Sequence, residues 1–113
     1  MQKKNWYSLE NTEKVISPSL LVYPDRIQHN IELMISMIGD VNRLRPHIKT
    51  YKNANIINMQ MARGIKKFKC ATIAEAELLG ECNAPDILLA MQPIGPNAQR
   101  YIELTKQYPN SKF

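Results

Sequence analysis

Apolar residues recur along the chain with two different periods, and the switches between them mark out most of the elements. Ile27, Ile31, Met34, Ile35 and Ile38 fall at i, i+4, i+7, i+8 and i+11, one face of a helix. Pro24-Asp25 opens that helix and Gly39-Asp40 closes it. Before it, Ser17-Pro18 leads into Ser19–Tyr23, a short apolar run that reads as a strand. A second strand is expected from Asn42 to Lys49. A helix follows from about Ala54, with Ile57 and Met61 on its apolar face and Gly64 as its stop. Phe68–Thr72 reads as a third strand. Thr72-Ile73-Ala74-Glu75 then fits a capping box and starts a helix that carries Ala76 and Leu79 and stops at Asn83-Ala84-Pro85. Asp86–Met91 is a fourth strand. Pro96 suits the first turn of a last helix, with Ala98, Tyr101, Ile102 and Thr105 at helical spacing. Ser111–Phe113 could begin one more strand.

From Asn42 onward strands and helices alternate with short links, the signature of βαβ units and a parallel sheet. Eight such units need roughly 200–250 residues as a (β/α)8 barrel. The 113 residues here supply about three. The expected fold class is therefore α/β, the N-terminal portion of a truncated TIM-type barrel with parallel strands. Residues 1–16, polar and without period, are expected to form an arm, and residues 17–113 the barrel portion.

Composition changes this picture little. The chain is 44% apolar and 22% charged, which argues against disorder. The net charge of +5 is spread along the chain, so it fits plain solubility as well as an acidic partner. Cys70 and Cys82 sit among apolar neighbours with no zinc-type spacing, as free thiols in a reducing compartment would. Lys3 and Lys4 are not followed by an apolar stretch of signal-peptide type. The longest apolar run, Ile87–Met91, is far too short for a bilayer. A cytoplasmic protein without membrane contact is expected.

The sharpest chemical feature is Arg43-Leu44-Arg45-Pro46-His47-Ile48-Lys49-Thr50. Alternation on a strand puts Leu44, Pro46 and Ile48 on one face and Arg45, His47 and Lys49 on the other. In a parallel barrel the second face points inward, where such a charge set is costly unless it meets an anion or lines a solvated pocket. Lys49 would stand at the C-terminal end of its strand, where barrel active sites sit. A lysine crowded by cations and partly desolvated becomes a nucleophile toward aldehydes. The competing reading is an exposed edge strand with solvated charges, and pattern alone leaves both open.

By the same parity Phe68, Cys70 and Thr72 would share an inward face, as would Leu88, Ala90 and Gln92. Thr72 serves either as a helix cap or as a ligand group at a helix N-terminus. Gln92 opens the loop Gln92–Pro96 and is either loop polarity or pocket lining. Arg63, Lys66, Lys67 and Lys69 form a basic run, but it matches no nucleic-acid module, so no nucleic-acid partner is expected.

These segments carry a resemblance. Ser17-Pro18-Ser19-Leu20-Leu21-Val22, Asn30, Arg45-Pro46-His47-Ile48-Lys49-Thr50, Cys70–Glu77 and Asp86–Ala90 occur in the right order. Together they resemble the D-threonine aldolase and D-serine dehydratase group of pyridoxal-phosphate (PLP) enzymes with the alanine racemase fold. The resemblance implies that Lys49 forms the Schiff base with PLP, and that Arg45, His47, Thr72 and Gln92 lie around the cofactor. It implies a lyase acting on D-β-hydroxy amino acids, homodimeric in its full-length form, and the fragment alone is expected to be inactive. It also implies a second, mostly β domain, to which the Leu20–Tyr23 strand could belong. A divalent metal, where relatives use one, is bound far downstream of any residue here, so no metal ligand is assigned. The family pattern usually continues Lys-Thr-His-Lys, whereas this chain has Tyr51 in place of the histidine. The alternative reading is a non-catalytic PLP-binding or homeostasis protein on the same barrel.

Overall fold

In a computed structural model, which describes residues 5–113, the helices form where the apolar period places them. Helix α1 spans Pro24–Ile38, with proline in its first turn. It ends at Gly39, whose φ of 76° lies in the left-handed region that glycine tolerates, and the Gly39 amide donates to the Ile35 carbonyl. Helix α2, Ala54–Ala62, is capped by the Asn53 carboxamide, which accepts from the amides of Asn55 and Ile56.

Strand β1 is Lys67–Cys70, helix α3 is Ile73–Glu81, strand β2 is Asp86–Leu89 and helix α4 is Pro96–Gln107. β1 and β2 are parallel, with Phe68 opposite Ile87 and Lys69 opposite Leu88. Single bridges extend the pairing on either side, His47 to Lys69 and Asp86 to Lys112, both parallel. The pairing order thus follows chain order. It is a partial α/β layer, and the described residues do not close it into a barrel.

Burial sorts the two faces of this sheet. Phe68, Cys70 and Ile87 are buried and join Ile48, Ile57, Ile65, Ile73, Ala76 and Leu79 in the core. The other face carries Lys67, Lys69, Asp86 and Leu88, and Leu88 is 47% exposed. Residues bridged in a parallel pair point to the same side. His47 therefore shares its face with Lys69 and Leu88. This corrects the parity expected for β1: Phe68 and Cys70 pack into the core, and Lys69 is the β1 residue beside His47.

Two strands are shorter or missing. Ser19–Tyr23 is not a strand, and Leu20 is 88% exposed. A strand needs ladder partners. Instead Leu21–Tyr23 run beside α1 and line a groove with Ile27, Ile31 and Met34. The Tyr23 hydroxyl donates to the Tyr7 carbonyl at 3.0 Å, and Trp6 stacks edge-on to Tyr7 and Tyr23 beneath the Arg26 guanidinium. Of the expected arm, residues 1–4 lie outside the described residues. Residues 5–16 carry only a 3-10 turn at Thr12–Lys14.

The Asn42–Lys49 strand shrinks to its single bridge at His47, between 3-10 turns at Val41–Arg43 and Ile48–Thr50. Two local causes act here. Asp40 accepts from the Asn42 amide at 2.9 Å and draws that end into a turn. Pro46 has no amide to donate, although its carbonyl accepts from Lys69 at 2.8 Å.

A lysine turn beside a basic sheet face

Lys49 sits in the 3-10 turn that follows the His47 bridge, and its side chain is exposed. The Lys49 amide donates to His47 Nδ1 at 3.2 Å, which leaves the ring proton of a neutral imidazole on Nε2. Desolvation, then the charges of Lys49 and Lys69, push the His47 pKa below its ordinary value; Glu75 and a backbone contact to Lys69 oppose them. His47 is therefore neutral at pH 7. Among the described residues the Lys49 amine has no hydrogen-bond or ion-pair partner.

Its neighbour is different. Lys52 Nζ donates to the Lys49 carbonyl at 2.7 Å and pairs with Glu75 Oε1 at 3.3 Å. The two lysines of this turn are thus unequal: one amine is tethered, the other unengaged.

Tyr51, standing where the resemblance would have histidine, turns inward. Its hydroxyl donates to Gln60 Oε1 at 2.8 Å, and burial pushes its pKa up to about 12. It stays protonated at neutral pH and does not replace an imidazole. Burial, with Glu75 adding to it, lifts the Cys70 thiol to about 12, so that sulfur is not a nucleophile.

Arg45 lies at the opposite end of the strands from Lys49. Its Nη1 donates to Asp86 Oδ1 at 2.5 Å and to the Phe68 carbonyl at 3.2 Å. That hydrogen bond, with the charges of Arg45, Lys67 and Lys112, holds the Asp86 carboxyl below the usual carboxylate range against some desolvation. A depressed carboxylate contributes stability above its unfolded pKa of 3.8 and loses it as pH falls through the folded value. Arg45→Ala is therefore expected to destabilise at pH 7, and the gap from wild type to narrow as pH drops below about 4. Urea unfolding at pH 7 and pH 3 measures both. Arg63→Ala breaks only the exposed Arg63–Glu32 pair and is expected to cost under about 1 kcal/mol. Equal losses from the two variants would mean the Arg45 contacts contribute little.

Thr72 caps α3: its Oγ1 accepts from the Glu75 amide at 3.1 Å. The Glu75 side chain reaches one residue farther back than a capping box requires, to the Ala71 amide at 2.7 Å. Thr72 and Gln92 line one groove of about 310 Å³ between the starts of α3 and α4, with Asn97 and Arg100. Arg45, His47 and Lys49 are not on its wall. The structure thus brings Lys49 together with His47 and Thr72 together with Gln92, and leaves Arg45 apart at the other end of the strands with Asp86. Lys52, Glu75, Lys69 and Asp86 were not among the candidates. Lys69 was accessible by extending the parity argument across the His47 bridge. The Lys52–Glu75 and Arg45–Asp86 pairs are long-range and leave no local pattern.

No helix among the described residues is long and apolar enough to cross a membrane. Nor is any group of three or more His, Cys, Asp or Glu among them arranged to hold a metal ion. The site is thus an α/β sheet end at which Lys49, next to His47, presents an unengaged amine while Lys52 is tied to Glu75. No protein-family model matches the chain, and no solved structure matches it. Among curated proteins it is similar to the D-threo-3-hydroxyaspartate dehydratase of Delftia sp. (strain HT23), with 36% identity over 76 residues. The match takes in 66% of this chain and 20% of the relative, so the chain spans about a fifth of that relative's length.

Proposed function

We propose that this chain carries the cofactor lysine of a PLP-dependent lyase acting on D-β-hydroxy amino acids, with loss of water as the reaction and Lys49 as the lysine. One observation carries the reading: Lys49 offers an amine with no internal partner beside a neutral histidine, at the C-terminal end of a parallel pairing, while Lys52 is held by Glu75. Condensation with an aldehyde requires an unprotonated amine, and a carboxylate partner would hold the proton on, so an amine free of ion pairs is the better placed of the two.

The residues present fit the aldehyde end of PLP, because an uncommitted primary amine is the group that end needs. When bound, PLP supplies that aldehyde and an electron-withdrawing ring. The chain's own groups have narrower tasks. Lys49 would hold the cofactor. His47 keeps a proton on Nε2, facing the side of the sheet that Lys69 shares. Lys69, bridged to His47, makes that side attractive to carboxylate and phosphate. The similarity to a hydroxyaspartate dehydratase favours elimination of the β-hydroxyl over carbon–carbon cleavage. Pairing in chain order is also how a (β/α)8 barrel is laid down, and such a barrel is the architecture proposed for the complete site.

The test is borohydride reduction after incubation with PLP, followed by peptide mapping. Lys49 is the expected labelled residue, with Lys49→Ala losing at least nine-tenths of the label. A label on Lys52 instead would overturn the assignment.

A further inference from the structure

Lys52 has a backbone φ of 39°, in the left-handed region that lysine rarely occupies. Something must hold it there, and the contacts identify what. Its ammonium joins the Lys49 carbonyl at 2.7 Å to Glu75 Oε1 at 3.3 Å. Glu75 is buried, 3% exposed, and its second oxygen accepts from the Ala71 amide at 2.7 Å. Its own amide is fixed by Thr72 Oγ1. A connected path therefore runs from the start of α3, through a buried carboxylate and an ammonium, to the peptide oxygen of Lys49.

We propose that Glu75 and Lys52 are positioning residues that brace the Lys49 turn against α3 and so set the direction in which the Lys49 amine leaves it. The inference rests on the reading of Lys49 as the cofactor lysine. A buried carboxylate is costly unless paired. Lys52 supplies the pairing charge and directs a second of its three donors to the Lys49 carbonyl. The turn itself is closed by two amides, Tyr51 and Lys52, which both donate to the Ile48 carbonyl at 3.2 and 2.9 Å. Ile48 and the Tyr51–Gln60 hydrogen bond anchor one side of the turn in the core, whereas its Lys49–Thr50 side is exposed, and short-range bonds on an exposed side open readily without further support. The brace ties the turn to the most buried helix start in the chain, where Ile73, Glu75 and Ala76 are all covered.

The same path separates the two lysines chemically. With its ammonium held by Glu75 and the Lys49 carbonyl, Lys52 is less available to an aldehyde than Lys49, whose amine has no such partner.

Two measurements on the 113-residue chain test this. The first is amide hydrogen exchange at Tyr51 and Lys52, with Ala76 and Ile57 as helix references. Lys52→Met and Glu75→Gln are each expected to speed exchange in the turn at least tenfold, leaving Ile57 unchanged, and Lys52→Arg to restore protection. The second is labelling by PLP with cyanoborohydride, scored as Lys49 label against label on Lys66 and Lys69. Lys52→Met is expected to lower that ratio at least threefold, and Lys52→Arg to recover it. Unchanged turn exchange in both variants would overturn the brace. Faster exchange with an unchanged labelling ratio would overturn the positioning role. Indiscriminate labelling of the wild-type lysines would count against Lys49 as the cofactor residue, while the exchange result would still decide the brace.

Discussion

Phe68→Ala is expected to remove about 3–5 kcal/mol of stability, the range for emptying a fully buried aromatic site. Phe68 is completely buried, sits opposite Ile87 in the central strand pair, and belongs to the cluster that contains Ile48, Ile57 and Leu79. A small domain has about 5–15 kcal/mol in total, so the loss approaches the margin for folding. Leu88→Ala, on the opposite face where the side chain is 47% exposed, is expected to cost under about 1 kcal/mol. The contrast tests the strand register, because a slip of one residue exchanges the two faces. Urea midpoints of both variants decide it, and similar losses would mean the faces are misassigned.

Gly80→Ala is expected to destabilise even though alanine is the better helix former. Gly80 lies inside α3 and its φ requires no glycine. A Cβ there would lie 2.5 Å from Cδ2 of Tyr108 and 2.7 Å from its Cγ, close to the root of the ring rather than at a flexible tip. Overpacking of this kind costs about 1–3 kcal/mol. Helix propensity returns roughly 1 kcal/mol. The net loss is therefore up to about 2 kcal/mol, and the sign should reverse without the ring: in a Tyr108→Ala background, Gly80→Ala should stabilise by up to about 1 kcal/mol. A double-mutant cycle in thermal or urea unfolding reads the sign. If Gly80→Ala destabilises equally in both backgrounds, contact with Tyr108 is not the reason for glycine there.

Helices were the most legible part of the sequence because their signals are local. The Ile27–Ile38 stripe, the Thr72 cap and Pro96 each act within a turn or two, and α1, α3 and α4 begin where those residues stand. The parallel pairing of β1 with β2 was legible from the spacing of apolar runs. Strand extent was not, since a strand exists only where a partner meets it. Ser19–Tyr23 has the composition of a strand and no ladder, and Asn42–Lys49 keeps one bridge because Asp40 and Pro46 favour turns around it. At the site, the motif singled out Lys49 and His47, which the structure sets side by side. It did not show that Arg45 is committed to Asp86, nor that Lys52 is committed to Glu75. Those pairings span 41 and 23 residues, and charge in a sequence does not name its partner across such distances.

Pairing in chain order has a consequence for how the molecule assembles. The partners of the three parallel connections, His47 to Lys69, Lys69 to Leu88 and Asp86 to Lys112, are 22, 19 and 26 residues apart in sequence. Loop-closure entropy grows only with the logarithm of length, so these crossovers differ by no more than about 0.3 kcal/mol in the cost of bringing their ends together. Chain geometry therefore gives none of them a head start. What distinguishes them is burial: among the described residues, seven of the twelve buried apolar ones, Phe68, Cys70, Ile73, Ala76, Leu79, Ala84 and Ile87, lie in the middle unit from β1 through α3 to β2. That unit recovers the most hydrophobic free energy for the same closure, and so it is the natural nucleus. The Lys49 turn is expected to dock onto it afterwards, by the His47 bridge and the Glu75 contact. Assembly is then expected to run outward from the centre of the chain in both directions, with the candidate site a late event built on an already folded support.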